Sequence, residues 1–454
     1  MNVTKYQALA DELARAIGDG KLSPNARLPS VRELMQQHRL SLATVTKSLY
    51  VLEQLGLIEP RNKAGFYVKQ SKSIANAAVD ANLDLTVDGP INAMCNWRPS
   101  VDLFPEQRWQ SLLGSIIRRH PFLPTRHAQE FGHPRLRAEL ARRSAENGCF
   151  LKEDELIVTQ GATEALLLAL RATTQAGDRV LVQSPIGVLF RRLLETFTLT
   201  PVPILSRVDE TDFVAEIQKV LEGENPPKVL LLVANYHFPT GALMPLMAKR
   251  NLIRLAEKHA LTIIEDDVYG DLQHEGARPL TLKSFDLKGN VIYVNSSSKS
   301  LAPGLRIGWL AAGRWRKRIE YFKNASASSV SELSQLVLAE FLAQGSHVPH
   351  LRKIRKQLKD RAGEYLSILR LVLGKEAAIS TVLGGYSFWL ALPQIISADE
   401  VRSQIQVFWP LLDSPDSPQI VVVSQGLCFN TSVPLTDPLR QSLTAFCFHL
   451  RGLL

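Results

Sequence analysis

The chain has 454 residues, 45% of them hydrophobic, enough to bury two or three cores and too apolar for a disordered polymer. Its formal charge of +9 matters only where cations cluster, and residues 1–70 carry ten Lys and Arg against six Asp and Glu, a modest basic footprint for a polyanion. Four scattered cysteines without a C-x-x-C pair argue against a zinc site or a disulfide framework, and no apolar run reaches signal-peptide or membrane-span length, so a soluble protein of a reducing cytoplasm, with no membrane partner, is expected.

In chain order, Tyr6, Leu9, Leu13 and Ile17 recur at helical spacing, and Gly18 and Gly20 end the run. Ser30 with Glu33 three residues later predicts a capping box opening a second helix. Ser41 caps a third, whose apolar side is read as Leu42, Val45, Leu49, Leu52 and Leu55, with Thr44, Lys47 and Ser48 opposite. Leu57 to Pro60 and Gly65 to Val68 read as two short strands around the basic turn Arg61-Asn62-Lys63. Three helices and a hairpin make a winged helix-turn-helix. On composition alone it could hold DNA or contact another protein, and short polar side chains beside Lys and Arg suit a phosphate backbone.

Residues 71–90 are small, polar and unpatterned, as in a tether; a fraying last helix is the alternative. Beyond them, the apolar runs 179–182, 229–233, 261–264 and 291–294 alternate with helical patterns, which predicts an α/β domain with a buried parallel sheet. Each run ends in polar residues: Gln183-Ser184-Pro185, Asn235-Tyr236-His237, Glu265-Asp266-Asp267 and Asn295-Ser296-Ser297-Ser298-Lys299. Ligands of such sheets sit beyond the carboxyl ends of the strands, so these ends should converge.

That polar set matches the needs of pyridoxal phosphate (PLP). Lys299 supplies the amine for the aldehyde, Asp266 a carboxylate to keep the pyridine nitrogen protonated, and Tyr269 a phenol for the ring oxygen, with Asn235 at a neighbouring strand mouth. Ser296, Ser298 and Arg306 offer phosphate donors, and Gly161-Ala162-Thr163 opens an apolar helix whose first amides would add to them, although ordinary capping also explains that tripeptide. Ser296-x-x-Lys299 also has the spacing of the nucleophile motif of acyl-serine hydrolases, but the S-D-N and K-T-G partners of that site are missing.

Two sets of motifs carry a family resemblance. Leu28-Pro29-Ser30-x-Arg32-Glu33, Ser41-x-x-Thr44-Val45, Leu55-Gly56-Leu57-Ile58 and Gly65-Phe66-Tyr67-Val68 resemble the GntR-type winged helix. Thr159-Gln160-Gly161-Ala162, Phe238-Pro239-Thr240-Gly241, Glu265 to Gly270 and Ser298-Lys299 through Arg306-Ile307-Gly308-Trp309 resemble fold type I aminotransferases. In that order the chain resembles a MocR-subfamily regulator. The resemblance implies a winged helix over residues 1–70, a linker over 71–90, and an aminotransferase-like domain over 91–454. The last divides into a large part, about 130–320, and a smaller α+β part, about 321–454 with the arm 91–129. It implies DNA contacts by Arg32, Ser41, Thr44, Lys47, Lys63 and Gly65, a double-stranded operator, PLP with a small amine or amino-acid effector, and a head-to-tail, domain-swapped homodimer.

Four positions depart from the aminotransferase pattern. Gly187 stands where an aromatic stacks on the cofactor ring, Phe238 where an asparagine meets the ring oxygen, and His127 where a tyrosine reaches the phosphate across the dimer. Cys428, in Leu427-Cys428-Phe429-Asn430, replaces the arginine that grips a substrate carboxylate, with Arg440 the remaining candidate for that task. Three readings follow: a regulator sensing PLP or a PLP adduct, an active aminotransferase with a DNA-binding domain, or a regulator whose aminotransferase-like domain is a dimerisation scaffold without cofactor.

Overall fold

The structure, a computed structural model, describes residues 26–54, 58–61, 65–68, 98–205, 211–326, 329–374, 377–393, 420–422 and 426–453, with a few positions before residue 26. Two compact units divide the chain, residues 1–86 and 87–454. The sequence-predicted tether, Lys63, and the glycines at 18, 20 and 56 lie outside the described residues, as do Ile17 and Leu55.

In the first unit, Tyr6, Leu9 and Leu13 are helical as their spacing predicts. Helix α1 (Val31–His38) opens on the predicted capping box: Glu33 N–H donates to Ser30 Oγ at 3.3 Å, and Ser30 N–H donates to Glu33 Oε2 at 2.6 Å. Ser41 Oγ accepts from Thr44 N–H at 3.3 Å at the start of α2 (Leu42–Gln54). Strands β1 (Ile58–Arg61) and β2 (Gly65–Val68) pair antiparallel, with Arg61 opposite Gly65. Residues 26–28 add to the free side of β2, through Leu28 N–H to Phe66 O and Val68 N–H to Ala26 O. The core joins Leu9, Leu13, Leu28, Leu34, Val45, Leu49, Leu52, Ile58 and Val68.

Two assignments on α2 are corrected. Leu42 is 59% exposed and belongs to the outer face. Ser48 is buried, because its hydroxyl donates to Thr44 O and Tyr6 O, both at 2.9 Å, and so is satisfied away from water.

The second unit is built on a seven-stranded mixed sheet of order β3-β9-β8-β7-β6-β4-β5. The four predicted runs become β4 (Arg179–Ser184), β6 (Val229–Leu232), β7 (Thr262–Asp266) and β8 (Val291–Ser296), all mutually parallel. β5 (Thr200–Leu205) extends one edge in parallel, while β9 (Gly308–Ala311) and β3 (Leu156–Thr159) complete the other in antiparallel fashion. Apolar side chains cover both faces, which is why the strands read as unbroken hydrophobic runs. Helices α3 (Glu106–Arg119), α4 (Pro134–Glu146) and α5 (Gly161–Thr173) precede β4 in the chain, and α6 (Val188–Thr196) follows it. The long α7 (His347–Leu373) leads to a small antiparallel sheet of order β10-β12-β11: β10 (Ser387–Ala391), β11 (Ile420–Val422) and β12 (Gly426–Asn430). That sheet packs with α7 and α8 (Asp437–Leu453) around Tyr365, Phe388, Phe429 and Phe446.

Candidate functional site

The carboxyl ends of β7 and β8 open into a cavity of about 700 Å³ lined by Ala162, Thr163, Asp266, Tyr269, Ser296, Ser298, Lys299 and Arg306, among others. Alternation along β7 separates three consecutive carboxylates. Glu265 points away and accepts from the amides of Leu282 at 2.7 Å and Lys283 at 3.0 Å. Asp267 turns into a buried network, where it accepts from Asn235 Nδ2 at 2.7 Å, Tyr293 Oη at 3.1 Å, and Arg278. Of the three, Asp266 faces the cavity. Burial pushes its carboxyl up to about 7, with Asp267 adding to the shift while the Val268 amide and Lys299 oppose it. Burial likewise pulls the Lys299 amine down to about 8; Asp266 resists, and the nearby charges of Arg306 and Arg98 assist.

A cup of hydrogen-bond donors lies at the amino terminus of α5. Gly161 adopts φ +79°, and a Cβ there would come within 3.0 Å of Arg306 Nη2, so the guanidinium sits against the helix start. Ser296 Oγ accepts from Ser298 N–H at 3.0 Å and donates to Ile307 O at 3.2 Å, which braces the turn before Lys299. Ser298 Oγ is buried and has no hydrogen-bond partner among the described residues. A buried hydroxyl without a partner, free helix amides and a guanidinium form the donor set an anionic phosphate satisfies. These residues fit PLP: an amine, a carboxylate and a phosphate cup share one cavity.

Two profile matches and the sequence relatives agree with this architecture. The profile for bacterial regulatory proteins of the gntR family matches residues 5–68, and that for aminotransferase class I and II matches residues 124–394. The uncharacterized HTH-type transcriptional regulator YdcR of Escherichia coli K12 is 32% identical over 413 residues, 87% of this chain and 88% of its own. The chain belongs to the MocR-type GntR transcriptional regulators. A second such relative in the same organism, YjiR, is 29% identical over 97% of both chains. The regulator's fold also resembles solved aminotransferases. LysN, the α-aminoadipate aminotransferase of Thermus thermophilus, has 21% identity and a TM-score of 0.71 over 80% of this chain and 95% of its own. The kynurenine aminotransferase of Pyrococcus horikoshii has 21% identity and a TM-score of 0.69 over 79% and 89%.

Of the residues read from the regulator's sequence, Asn235 does not line the cavity. Its amide is held between Asp267 and Lys249, whose Nζ donates to Asn235 Oδ1 at 2.6 Å. Gly161 shapes the cup through Arg306 rather than lining it. Tyr269 lines the cavity, but its phenol is hydrogen-bonded to that of Tyr386, with the rings edge to face at 5.6 Å. Phe238, where the pattern has asparagine, fills the space beside Gly187: a Cβ on Gly187 would meet its ring at 3.0 Å. Cys428 is fully buried, donates to Pro239 O at 3.2 Å and does not line the cavity. Arg440 pairs with Glu364 at 2.8 Å on the surface and is no substitute for the missing arginine. His127 is exposed. Three further residues carry no local sequence signal: Arg98 and Arg192, which line the cavity, and Tyr386 behind Tyr269. They stand in no motif with Lys299; only the fold assembles them.

On the winged helix of this regulator, Arg32, Ser41, Lys47 and Gly65 are exposed and Thr44 is half-buried. Lys47 Nζ lies 4.1 Å over the Tyr6 ring, and the Arg61 guanidinium lies 4.4 Å over Tyr67 beside the wing. Gly65 takes φ +95°, a backbone that favours glycine at this strand start.

Proposed function

We propose that this transcriptional regulator senses PLP, or an adduct of PLP with a small amine, through an aminotransferase-like domain with little turnover. The observation that carries the reading is the shared cavity: Lys299 and Asp266 in its wall, and the cup of Arg306, Ser298 and the α5 amides at one end. When bound, PLP supplies an aldehyde that condenses with amines and a ring that withdraws electrons. Lys299 Nζ is the amine that holds it, and Asp266 keeps a proton on the pyridine nitrogen. Arg306, Ser298 and the amides of Ala162 and Thr163 bind the phosphate. LysN was solved in complex with N-(5'-phosphopyridoxyl)-L-leucine, a PLP adduct held by the same fold. The missing guanidinium at Cys428 weighs against efficient turnover, since a thiol cannot reproduce a bidentate carboxylate grip.

Family membership supports the rest of the reading. Arg32, Ser41, Thr44 and Lys47 of the winged helix, with Lys63 and Gly65 at the wing, contact an operator in double-stranded DNA, and the regulator acts as a cytoplasmic homodimer. Titrating purified protein with PLP tests the core of it. The chain gains a visible absorption band with saturable uptake, and Lys299→Ala abolishes the band. A protein that stays colourless at saturating PLP overturns the sensor reading in favour of a scaffold, and conversion of amino acids with a keto acid at enzyme-like rates overturns it in favour of an aminotransferase.

A further inference from the structure

The cavity holds more positive charge than the cofactor needs. Arg306 belongs to the phosphate cup, yet Arg98 and Arg192 also line the wall, and among the described residues neither forms an ion pair with a carboxylate. Arg98 sits on a strap, residues 98–105, held by the end of β12, the turn after it and α7. Asn430 Nδ2 donates to Arg98 O at 3.0 Å, Ser432 Oγ accepts from Ser100 N–H at 3.0 Å, and Asp102 pairs with Arg361. Asn430 is the last residue of β12, two positions beyond Cys428, where a carboxylate-gripping guanidinium would stand. The strand that lacks the arginine therefore anchors, through its own asparagine, a backbone segment that brings another arginine to the same cavity.

We propose that Arg98 is the carboxylate receptor of the effector, so that the effector is a primary amine bearing a carboxylate, an amino acid rather than a simple amine. This rests on the pocket being a PLP site. A phosphate does not compete for the role of Arg98, because the cup of α5 and Arg306 takes the cofactor's own. The guanidinium is a planar fork matched to a carboxylate, and its backbone is pinned at the cavity while its exposed side chain is accessible to a ligand. Arg192, on α6, adds positive potential without an anchored strap.

The probes are three pairs differing by one carboxylate: L-alanine and ethylamine, L-leucine and 3-methylbutylamine, L-phenylalanine and phenethylamine. Each is titrated into PLP-loaded full-length protein while the visible spectrum is followed. The amino acid of each pair half-saturates the spectral change at a concentration at least tenfold below that of its amine. Arg98→Ala raises the amino-acid value on the order of tenfold to a hundredfold, the range expected for losing a charge-assisted pair, and moves the amine value far less, through the lost Arg98 charge near Lys299 alone. Arg98→Lys, which keeps the charge without the fork and guards against misfolding of the alanine variant, falls between. Equal response to both members of every pair, or an effect of Arg192→Ala larger than that of Arg98→Ala, overturns the assignment to Arg98 while the cofactor reading stands. A chain that takes up no PLP overturns both.

Discussion

At neutral pH two groups in the cavity wall, Asp266 and Lys299, are both displaced toward the same region of the scale. Burial moves the acid up to about 7 and the amine down to about 8, so a useful fraction of Lys299 is uncharged and nucleophilic where a free lysine is almost wholly protonated. The rate of PLP uptake should therefore rise with pH and level off above about 8 in stopped-flow absorbance. Asp266→Asn removes the attraction that resists the loss of the Lys299 proton, so the midpoint moves to lower pH. Stability carries the opposite sign. The folded carboxyl keeps a proton that the unfolded chain releases near its ordinary value of 3.8, so its stabilising contribution is present below about pH 4 and gone once pH passes about 7. Thermal unfolding of unloaded protein between pH 4 and 8 should show the wild type losing midpoint relative to Asp266→Asn across that window. A constant difference between the two would mean that Asp266 titrates normally.

At the scale of elements, the cup depends on how closely β9 approaches the start of α5. A Cβ on Gly308 would lie 2.3 Å from the Gly161 carbonyl carbon, a clash with backbone that only displacement relieves. Gly308→Ala should move the α5 amides away from Arg306 and weaken PLP uptake about tenfold or more, with about 1–3 kcal/mol lost in denaturant unfolding. Retained affinity with lowered stability would show that the amides of α5 do not hold the phosphate. The elements themselves were legible to different degrees. β4, β6, β7 and β8 announce themselves as continuous apolar runs because both faces are covered. β5, Thr200-Pro201-Val202-Pro203-Ile204-Leu205, carries two prolines that argue against a strand, and it forms one only because it occupies the sheet edge. Local motifs likewise exposed Asp266, Ser296, Ser298, Lys299 and Arg306, which lie at strand ends or in one turn. Arg98, Arg192 and Tyr386 escaped because tertiary packing alone brings them to the cavity. On α2 the helical period placed Val45, Leu49 and Leu52 inside, but it could not show that Ser48 would be buried by satisfying its hydroxyl on backbone carbonyls.

For the whole molecule, regulation requires that effector occupancy and operator affinity be linked, and linkage is reciprocal whatever structural route carries it. The DNA side of that cycle has its own signature. Arg32 is exposed on α1, and a side chain that neutralises one phosphate contributes about one unit to the slope of log affinity against log salt. Arg32→Ala should therefore weaken binding to the regulator's own upstream DNA and flatten its salt dependence by about one, while PLP uptake is untouched. The coupling is then read from both ends. If the favoured amino acid changes the operator dissociation constant of PLP-loaded protein by some factor, saturating operator must change the half-saturating concentration of that amino acid by the same factor. Anisotropy on labelled DNA measures the first quantity and the absorbance titration the second. Equal factors larger than one establish that the cavity and the winged helix share one equilibrium, and factors of one would leave PLP as a structural group that no effector uses to reach DNA.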